Sequence, residues 1–336
     1  MNAPSNWSEP MQAFFCARRT RAVAILLTIA SGSVSLRAQQ IVDSAYVPPH
    51  LSHPAYAAGT GPVVVIDEAH QNFHTMGARY LPFAKLLRAD GYVVRPGAAR
   101  YDSATLAGVR VLVVANALHP SNARGQDWRL PVLAAFDSAE IASIERWVRT
   151  GGSLWLIADH MPFAGAVADL ARAFGVYWIN GFAFPEANGP GPGGSGLITY
   201  RRSDRSLGDV LVTNGRGADE RVDSVVTFTG SAFRLGAAHA DSAWAVFTFR
   251  AHTRVWMPRV AWQFGDSVAS LAGDGLLQGA LLVHSRGRVA AFGEAAMFSA
   301  QVTGPRRTPM GMNAPFAPQN AQFALNVAHW LTGVLR

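Results

Sequence analysis

Cysteine and lysine are almost missing from this chain of 336 residues. The single cysteine is Cys16 and the single lysine is Lys85. If the chain is cut after residue 38, Cys16 is lost, and the mature chain has no disulfide, no thiolate zinc ligand and no cysteine nucleophile. Its positive charge then rests on arginines that are scattered, without a basic run. We therefore expect no nucleic-acid partner.

Two motifs of nucleotide and acyl chemistry are also missing. Residues 63–74 read VVVIDEAHQNFH, and the string DEAH occurs in nucleic-acid helicases. A helicase also needs a P-loop, G-x-x-x-x-G-K-[ST], to hold the phosphates of ATP, and no glycine-rich loop precedes Lys85. A nucleophilic serine in a G-x-S-x-G elbow is absent as well. The sequence therefore excludes an ATP-driven motor and gives no support to acyl transfer through a covalent intermediate.

The N-terminal residues have the pattern of a secretion signal. A basic stretch that begins at Arg18 precedes the apolar run AVAILLTIASGSVSL, and the small residue Ala38 follows at a suitable cleavage point. We expect a signal peptide over residues 1–38, a periplasmic or extracellular protein, and no stable membrane span after cleavage. An N-terminal anchor that is kept is the alternative, although the apolar run is shorter than the roughly 20 residues of a span. The segment holds four arginines and one glutamate, so its removal lowers the formal net charge from +7 to about +4.

The first half of the mature chain alternates between apolar strands and amphipathic helices. A lead-in over residues 39–60 precedes an α/β core over residues 61–196. Continuous β-branched runs are typical of strands that are buried on both faces, and Asp137 followed by Glu140 indicates a capping box before a helix. The rhythm predicts an α/β fold with a flavodoxin-like, doubly wound, mostly parallel sheet. The strands that this prediction uses are PVVVID, YVVRP, VRVLVVANA and GSLWLIAD.

The second half has a different pattern. Residues 197–286 are rich in β-branched and aromatic residues and in turn signals, so we expect a β-rich insertion or extension there. One of its predicted strands is DVLVTN, residues 209–214. Residues 287–336 return to the α/β core with the strand GRVAAFG and a C-terminal amphipathic helix.

Polar residues follow four of the predicted core strands at their carboxyl ends, where open parallel sheets bind ligands. A mixed set of histidine and carboxylate side chains suits a divalent metal such as zinc, or a histidine–carboxylate pair that activates water. We predict a catalytic set, and within the same region a metal-ligand set. The catalytic set is Asp67, His70, Asp159, His160 and Glu294. The metal-ligand set is His70, His74 and His160.

Each of these residues also has a purely structural interpretation. Asp67 fits a cap of the turn after its strand, and Asp159 fits the N-cap of the next helix. Glu294 fits a carboxylate that stabilises the N-terminus of a short helix. His70 and His74 are four residues apart, which suits one helix face, but the pattern D-x-x-H-x-x-x-H is not specific for a metal.

The strand segments VVVID, VLVVANA, SLWLIADH and RVAAFGEAAMF resemble the class I glutamine amidotransferase-like superfamily. The likeness is to its uncharacterised non-amidotransferase branches, which include trehalose-utilisation-like and gliding/transport-associated domains, and it covers about residues 60–335. The resemblance implies the architecture and the position of a crevice. Amidotransferases carry a cysteine at the sharp turn after a central strand, where this chain has Asp159 and His160, so the resemblance argues against glutamine hydrolysis through a thioester.

Two functions from different classes are consistent with the sequence. The first is an exported hydrolase-like enzyme, metal-assisted or not, that acts on a small-molecule or carbohydrate ligand at the strand-end site. The second is a non-catalytic ligand-binding or scaffold domain at the cell envelope. Converging imidazole and carboxylate side chains would favour the enzyme, and side chains that point apart into solvent would favour the binding domain.

Overall fold

Apolar and β-branched residues are concentrated in the strands at the centre of the structure, as their preference for extended backbone predicts. The structure is a computed structural model, and it describes residues 40–190, 196–237 and 242–336. In chain order its strands are β1 (Gln40–Val42), β2 (Val63–Asp67), β3 (Val93–Gly97), β4 (Val111–Ala115), β5 (Ser153–Ile157), β6 (Val176–Ile179), β7 (Phe182–Pro185), β8 (Leu197–Arg201), β9 (Ser224–Phe228), β10 (Ala232–Leu235), β11 (Ala243–Thr248), β12 (Thr253–Met257), β13 (Ala269–Ala272), β14 (Leu277–His284), β15 (Gly287–Phe292), β16 (Ala300–Thr303) and β17 (Thr308–Gly311).

The helices are short except for three of them. They are α1 (Leu81–Ala89), α2 (Pro120–Ala123), α3 (Ser138–Arg149), α4 (Phe163–Ala166), α5 (Ala168–Arg172), α6 (Leu211–Asn214) and α7 (Asn320–Thr332). The Asp137 carboxylate accepts a hydrogen bond from the backbone N–H of Glu140 at 2.9 Å, which confirms Asp137 as the N-cap of α3. Helix α7 ends at Gly333, whose left-handed backbone, with φ of 85°, is a common helix C-terminus.

The main sheet has a parallel part and an antiparallel part. Its strand order is β3-β2-β4-β5-β15-β14-β10-β6, and β11 pairs with β14. The strands from β3 to β15 in this order are all parallel. Strand β14 is antiparallel to β15, β11 and β10, and β10 is antiparallel to β6. Because the carboxyl ends of β2, β4, β5 and β15 lie at one edge, the loops after these strands meet there.

These pairings correct the prediction of a flavodoxin-like, doubly wound, mostly parallel α/β sheet. Strands account for 30% of the structure and helices for 22%, in a curled mixed sheet with several smaller antiparallel sheets. The smaller sheets are β1-β16-β17, β13-β12-β7 and β8-β9. The physical reason is the length of the connections. A parallel pair needs a crossover of a dozen or more residues, whereas β14 and β15 are joined by a two-residue turn between His284 and Gly287, which allows only an antiparallel pair.

The main sheet is covered by apolar side chains on both faces. Alternate residues of β5 point to opposite sides: Trp155 packs in one core with Phe83 of α1 and α7, and Leu154 packs in the other with Ile144 of α3. Trp155 is fully buried. Truncation of such a side chain typically costs about 3–5 kcal/mol. The ends of the parallel strands are therefore fixed by rigid packing on both faces.

The predicted strand over residues 209–214 is wrong, because Leu211–Asn214 forms the short helix α6. The Thr213 hydroxyl donates a hydrogen bond to Gly208 O at 2.7 Å and accepts one from Val210 N at 3.1 Å. These local bonds compete with strand pairing despite the β-branched composition. Gly215, at φ of 68°, then ends the helix.

The predicted signal peptide over residues 1–38 lies outside the described residues. Across the ranges that the structure does describe, no helix is both long enough and apolar enough to cross a membrane.

Candidate functional site

The polar side chains after the parallel strands form two clusters with different chemistry. The first, the paired cluster, joins the ends of β2 and β3 to the N-terminus of α3. It consists of Asp67, His70, Asn72, Arg100, Tyr101 and Glu140. The second, the open cluster, joins the ends of β4 and β5 to the loop after β2. It consists of His74, Asn116, Asp159 and His160.

The paired cluster is built around the buried carboxylate of Asp67. Its two oxygens lie 3.0 Å from Nδ1 of His70, and they accept hydrogen bonds from the Tyr101 hydroxyl at 2.9 Å and from Nδ2 of Asn72 at 2.9 Å. On the other side of the ring, Nε2 of His70 lies 3.1 Å from Oε1 of Glu140. The His70 ring therefore bridges two carboxylates with both of its nitrogens.

The charges around His70 favour its protonated form. Burial lowers the pKa of His70, but the hydrogen bond and charge of Asp67, followed by those of Glu140, outweigh burial, and the net shift of the pKa is upward. Burial raises the pKa of Glu140, but hydrogen bonds from Arg100 at 2.6 Å and from Tyr101 N at 3.0 Å, with the charge of His70, bring that pKa down overall. Both nitrogens of His70 face carboxylates, so this ring has no free nitrogen to act on a ligand.

The open cluster is centred on Asn116, the first residue after β4. Its backbone has φ of 52°, in the left-handed region that asparagine tolerates better than most residues. Its Oδ1 accepts a hydrogen bond from Asp159 N at 2.8 Å, and its Nδ2 lies 3.1 Å from Nδ1 of His74. The loops after β2, β4 and β5 are thus connected through one amide side chain.

His160 has a fixed ring and one nitrogen without a partner. Its Nδ1 lies 2.7 Å from Met161 O, and because a carbonyl only accepts, Nδ1 carries the proton. Its ring stacks on Phe182, with centroids 4.4 Å apart, and packs edge-to-face with Trp262 at 4.6 Å. Within the described ranges, Nε2 of His160 has no hydrogen-bond partner. Its pKa is lowered, because burial outweighs the nearby charge of Asp159, so Nε2 presents a lone pair at neutral pH.

The carboxyl group of Asp159 is the acidic member of the open cluster. Its Oδ1 accepts a hydrogen bond from His160 N at 2.9 Å. Burial raises the pKa of Asp159 above its ordinary value, against the lowering effect of His160. The predicted pair of Asp159 and His160 thus lies together after β5, in surroundings that disfavour charge on both side chains.

Glu294 performs the structural role that the sequence left open. Its two oxygens accept hydrogen bonds from Ala296 N at 2.6 Å and Met297 N at 2.7 Å, at the start of the 3-10 turn Ala296–Phe298. Burial, and next the nearby charge of Asp159, raise the pKa of Glu294 well above its ordinary value. Glu294 lies close enough to interact with Asp159, and each of its oxygens accepts a hydrogen bond from its own turn.

The predicted metal ligands do not form a metal site. Over the described ranges, no group of three or more histidine, cysteine, aspartate or glutamate side chains is arranged to hold a metal ion. The nitrogens of His70 face carboxylates, Nδ1 of His74 faces an amide, and Nδ1 of His160 donates to a carbonyl. These nitrogens are engaged in separate hydrogen bonds. Nε2 of His74 and Nε2 of His160 are left, and no third ligand among the described residues is arranged with them to hold a metal ion.

The sequence pattern missed the partners of the paired cluster. Local spacing places Glu140 only at the helix N-terminus and gives no signal for Arg100 or Tyr101. Glu140 lies 70 residues from His70 along the chain, so no local spacing indicates the contact. The burial of Glu140 in the first turn of α3 indicates that it has a partner, but this burial is seen only in the structure.

Comparison with known proteins gives a fold and no family. No protein-family model matches the sequence, and no curated protein sequence does either. Among solved structures, the N-terminal domain of mmIFT52 is 13% identical, with a TM-score of 0.52, over 80% of this chain and 97% of that one. This likeness shows a shared fold.

The similar structures also include ThuA-like proteins. One from Bacteroides uniformis is 11% identical, with a TM-score of 0.42, over 85% of this chain and 95% of that one. One from Parabacteroides merdae is 10% identical, with a TM-score of 0.42, over 82% of this chain and 91% of that one. Likenesses at this level carry no functional conclusion.

Proposed function

We propose that this protein is a hydrolase-like enzyme in which His160 is the general base. The observation that carries the proposal is the hydrogen bond of 2.7 Å from Nδ1 of His160 to Met161 O. It fixes the tautomer, so the lone pair of Nε2 is available to take a proton from water. The lowered pKa of His160 keeps this lone pair free at neutral pH.

The surroundings of His160 support a small uncharged ligand or a carbohydrate. Phe182 and Trp262 pack directly against the ring, and Trp128 and Phe163 lie 6.2 Å and 5.7 Å from it between ring centroids. Aromatic walls with a few polar groups are typical of small-molecule sites. Trp262 is 42% exposed, so a ligand that approaches His160 from solvent meets this side chain first.

The proposal is tested with a panel of chromogenic esters, phosphate monoesters and glycosides. We expect hydrolysis of at least one class, and a fall in kcat/KM of at least about 100-fold in His160→Gln, because general bases contribute that much or more. The matched control is His50→Gln, which changes an exposed histidine and should retain full activity. Turnover by His160→Gln at the wild-type rate would reject His160 as the base, and an inactive panel would reject the hydrolase.

A non-catalytic binding domain is the second candidate, and one observation favours it. The ring of His160 is enclosed by the aromatic side chains of Phe182 and Trp262, which restricts access to a reacting water. Two surface clefts, one lined by Arg201 and Asp223 and one by Leu106 and Trp147, lie outside both clusters. A binding domain at the cell envelope would bind a saccharide without turnover. Calorimetry with the glycosides of the panel separates the two candidates. A wild-type protein that binds a glycoside but hydrolyses no substrate of the panel would support the binding domain.

Two further parts of the proposal concern the superfamily to which the chain is related and its export from the cytoplasm. We propose that the chain belongs to a branch of the class I glutamine amidotransferase-like superfamily without glutaminase chemistry, since Asp159 and His160 follow β5 and no cysteine follows residue 16. We also propose export, because the first 38 residues have a signal pattern. N-terminal sequencing of the protein recovered from a secreting host would test the cut after Ala38.

A further inference from the structure

The side chain of Asn116 has only one orientation that satisfies its neighbours. Oxygen and nitrogen of an amide are assigned from their hydrogen bonds. A backbone N–H can only donate, so the atom that lies 2.8 Å from Asp159 N must be the Asn116 oxygen. The amide nitrogen therefore faces Nδ1 of His74 at 3.1 Å and donates to it.

This orientation determines where His74 carries its proton. Nδ1 accepts a hydrogen bond, so it has no proton, and a neutral ring must carry its proton on Nε2. Burial, followed by the charges of Arg79 and His160, lowers the pKa of His74 well below its ordinary value, so the ring is neutral. His74 is 2% exposed, and its Nε2 is buried without a partner among the described residues.

An unpaired buried donor needs an explanation. Leaving such a group without an acceptor costs about 1–3 kcal/mol, and such exceptions are often sites of catalysis or bound solvent. The two histidines of the open cluster have complementary tautomers: His160 offers a lone pair at Nε2, and His74 offers a proton at Nε2. The two rings lie close enough for their charges to interact, so a ligand that contacts both could accept a hydrogen bond from His74 while His160 takes a proton from water.

We infer that His74 donates from Nε2 to the carbonyl oxygen of an ester or amide substrate, and that Asn116 is the positioning residue that sets this tautomer. The inference rests on the proposed hydrolase function and names its substrate class. Water adds to the carbonyl carbon and gives a proton to His160, while charge develops on the oxygen that His74 holds. When the tetrahedral intermediate collapses, the leaving group departs and takes the proton from His160.

A carbonyl substrate fits the site better than a glycoside does. Glycoside hydrolysis generally uses two carboxyl groups on opposite sides of the scissile bond. Here both oxygens of Glu294 accept hydrogen bonds from backbone N–H groups of its own turn, which holds this carboxyl group in a structural role. Asp159 is the one carboxyl group of the open cluster. A neutral imidazole, in contrast, is an effective donor to a carbonyl oxygen that gains charge in the transition state.

The tautomer is tested by long-range proton–nitrogen NMR of the full chain, with the His74 signals assigned from a His74→Gln variant. In the wild type we expect a protonated Nε2 and an unprotonated Nδ1. Asn116→Asp replaces the donor with a carboxylate, so Nδ1 of His74 should gain a proton. The matched control is Asn122→Asp, since Asn122 is a buried asparagine that binds only the loop backbone, and it should leave the His74 tautomer unchanged.

The ligand contact is tested with acetamide as a carbonyl probe, in the same spectra. The Nε2 proton of His74 should shift and saturate as acetamide is added. The protons of His70 should stay in place, because both of its nitrogens are already bonded to carboxylates. Two results would overturn the inference: a wild-type His74 that is protonated at Nδ1, or an Nε2 proton whose chemical shift does not change when acetamide is added. Either result counts whether or not the protein hydrolyses a substrate of the panel. An inactive panel with the expected spectra would instead reject the proposed hydrolase function, while the tautomer of His74 and its contact with a carbonyl group would stand.

Discussion

The paired cluster and the open cluster lie at the same edge of the main sheet and use the same residue types with opposite results. His70 and His74 are four residues apart in one loop. His70 has a carboxylate at each nitrogen and a raised pKa, whereas His74 has one amide partner, an unpaired donor and a lowered pKa. Burial opposes charge on both rings, so the partners decide which one becomes a cation.

This difference indicates that the paired cluster contributes mainly to stability and that the open cluster holds the groups that are available for chemistry. The paired cluster ties the loops after β2 and β3 to α3 through hydrogen bonds that leave no reactive atom. The open cluster leaves a lone pair on His160 and a proton on His74, which is unfavourable for folding but useful for a reaction. We therefore expect substitutions in the paired cluster to change stability, and substitutions in the open cluster to change activity.

The largest effect is expected for His70→Leu. Removal of the ring leaves Asp67 and Glu140 without their shared cation in a buried place, and breaking a buried ion pair in this way typically costs about 3–5 kcal/mol. Urea unfolding below pH 6.5 measures the free energy of unfolding. The control His50→Leu alters an exposed residue and should stay within about 0.5 kcal/mol of the wild type. A His70→Leu variant as stable as the wild type would contradict the role of the paired cluster.

Activity should decline in acid because of His160. Protonation of Nε2 removes the lone pair, and below the lowered pKa of His160 the value of kcat/KM should fall about tenfold per pH unit. The measurement is the pH profile for whichever ester the panel identifies. A profile with its acidic limb above pH 6.5, the ordinary value for histidine, would show that the base is another group.

The contributions of His70 and His160 to stability should depend on pH with opposite signs. The folded pKa of His70 is raised, so its stabilisation is complete below 6.5, its ordinary value, and is lost as pH rises through the raised pKa. The folded pKa of His160 is lowered, so folding becomes less favourable as pH falls from 6.5 through the lowered value. The free energy of unfolding is measured at pH values below and above 6.5 for the wild type, His70→Leu and His160→Gln. The difference between the wild type and each variant gives the contribution of that histidine at each pH. If both contributions changed with pH in the same direction, the two histidines would not differ as proposed.

The smallest effect concerns Trp262, which covers His160 and has a left-handed backbone with φ of 67°. Such a conformation costs about 1–2 kcal/mol for residues other than glycine. Trp262→Gly and Trp262→Ala lose the same contacts with His160, so the glycine variant should be more stable by about 1 kcal/mol. Thermal or urea unfolding of the pair measures this. Both variants should also raise the pKa of His160, because they reduce its burial, and an unchanged pKa would show that Trp262 does not shield the ring.

Local sequence signals predicted individual elements well and their arrangement poorly. The runs VVVID, VLVVA and SLWLI form the parallel strands β2, β4 and β5, and Asp137 caps α3. For the β-rich residues 197–286 the sequence leaves two alternatives, an insertion or an antiparallel extension of the sheet, because strand pairing depends on connections and long-range contacts rather than on composition. Long-range contacts limit the prediction of the site as well. The position of Asp159 and His160 at a strand end follows from the sequence, but the contact between Nε2 of His70 and Glu140 does not.

The sequence by itself determined the apolar strands, the capped helix α3 and the absence of cysteine chemistry after residue 16, because these depend on residue type and on neighbours within a few positions. The tertiary structure alone decided which histidine has its pKa raised, which tautomer His74 and His160 adopt, and that no described group of side chains suits a metal. Those properties depend on partners such as Asn116 and Glu140 that come from other strands and helices. In a buried site the partner, and not the residue type, sets where the proton lies.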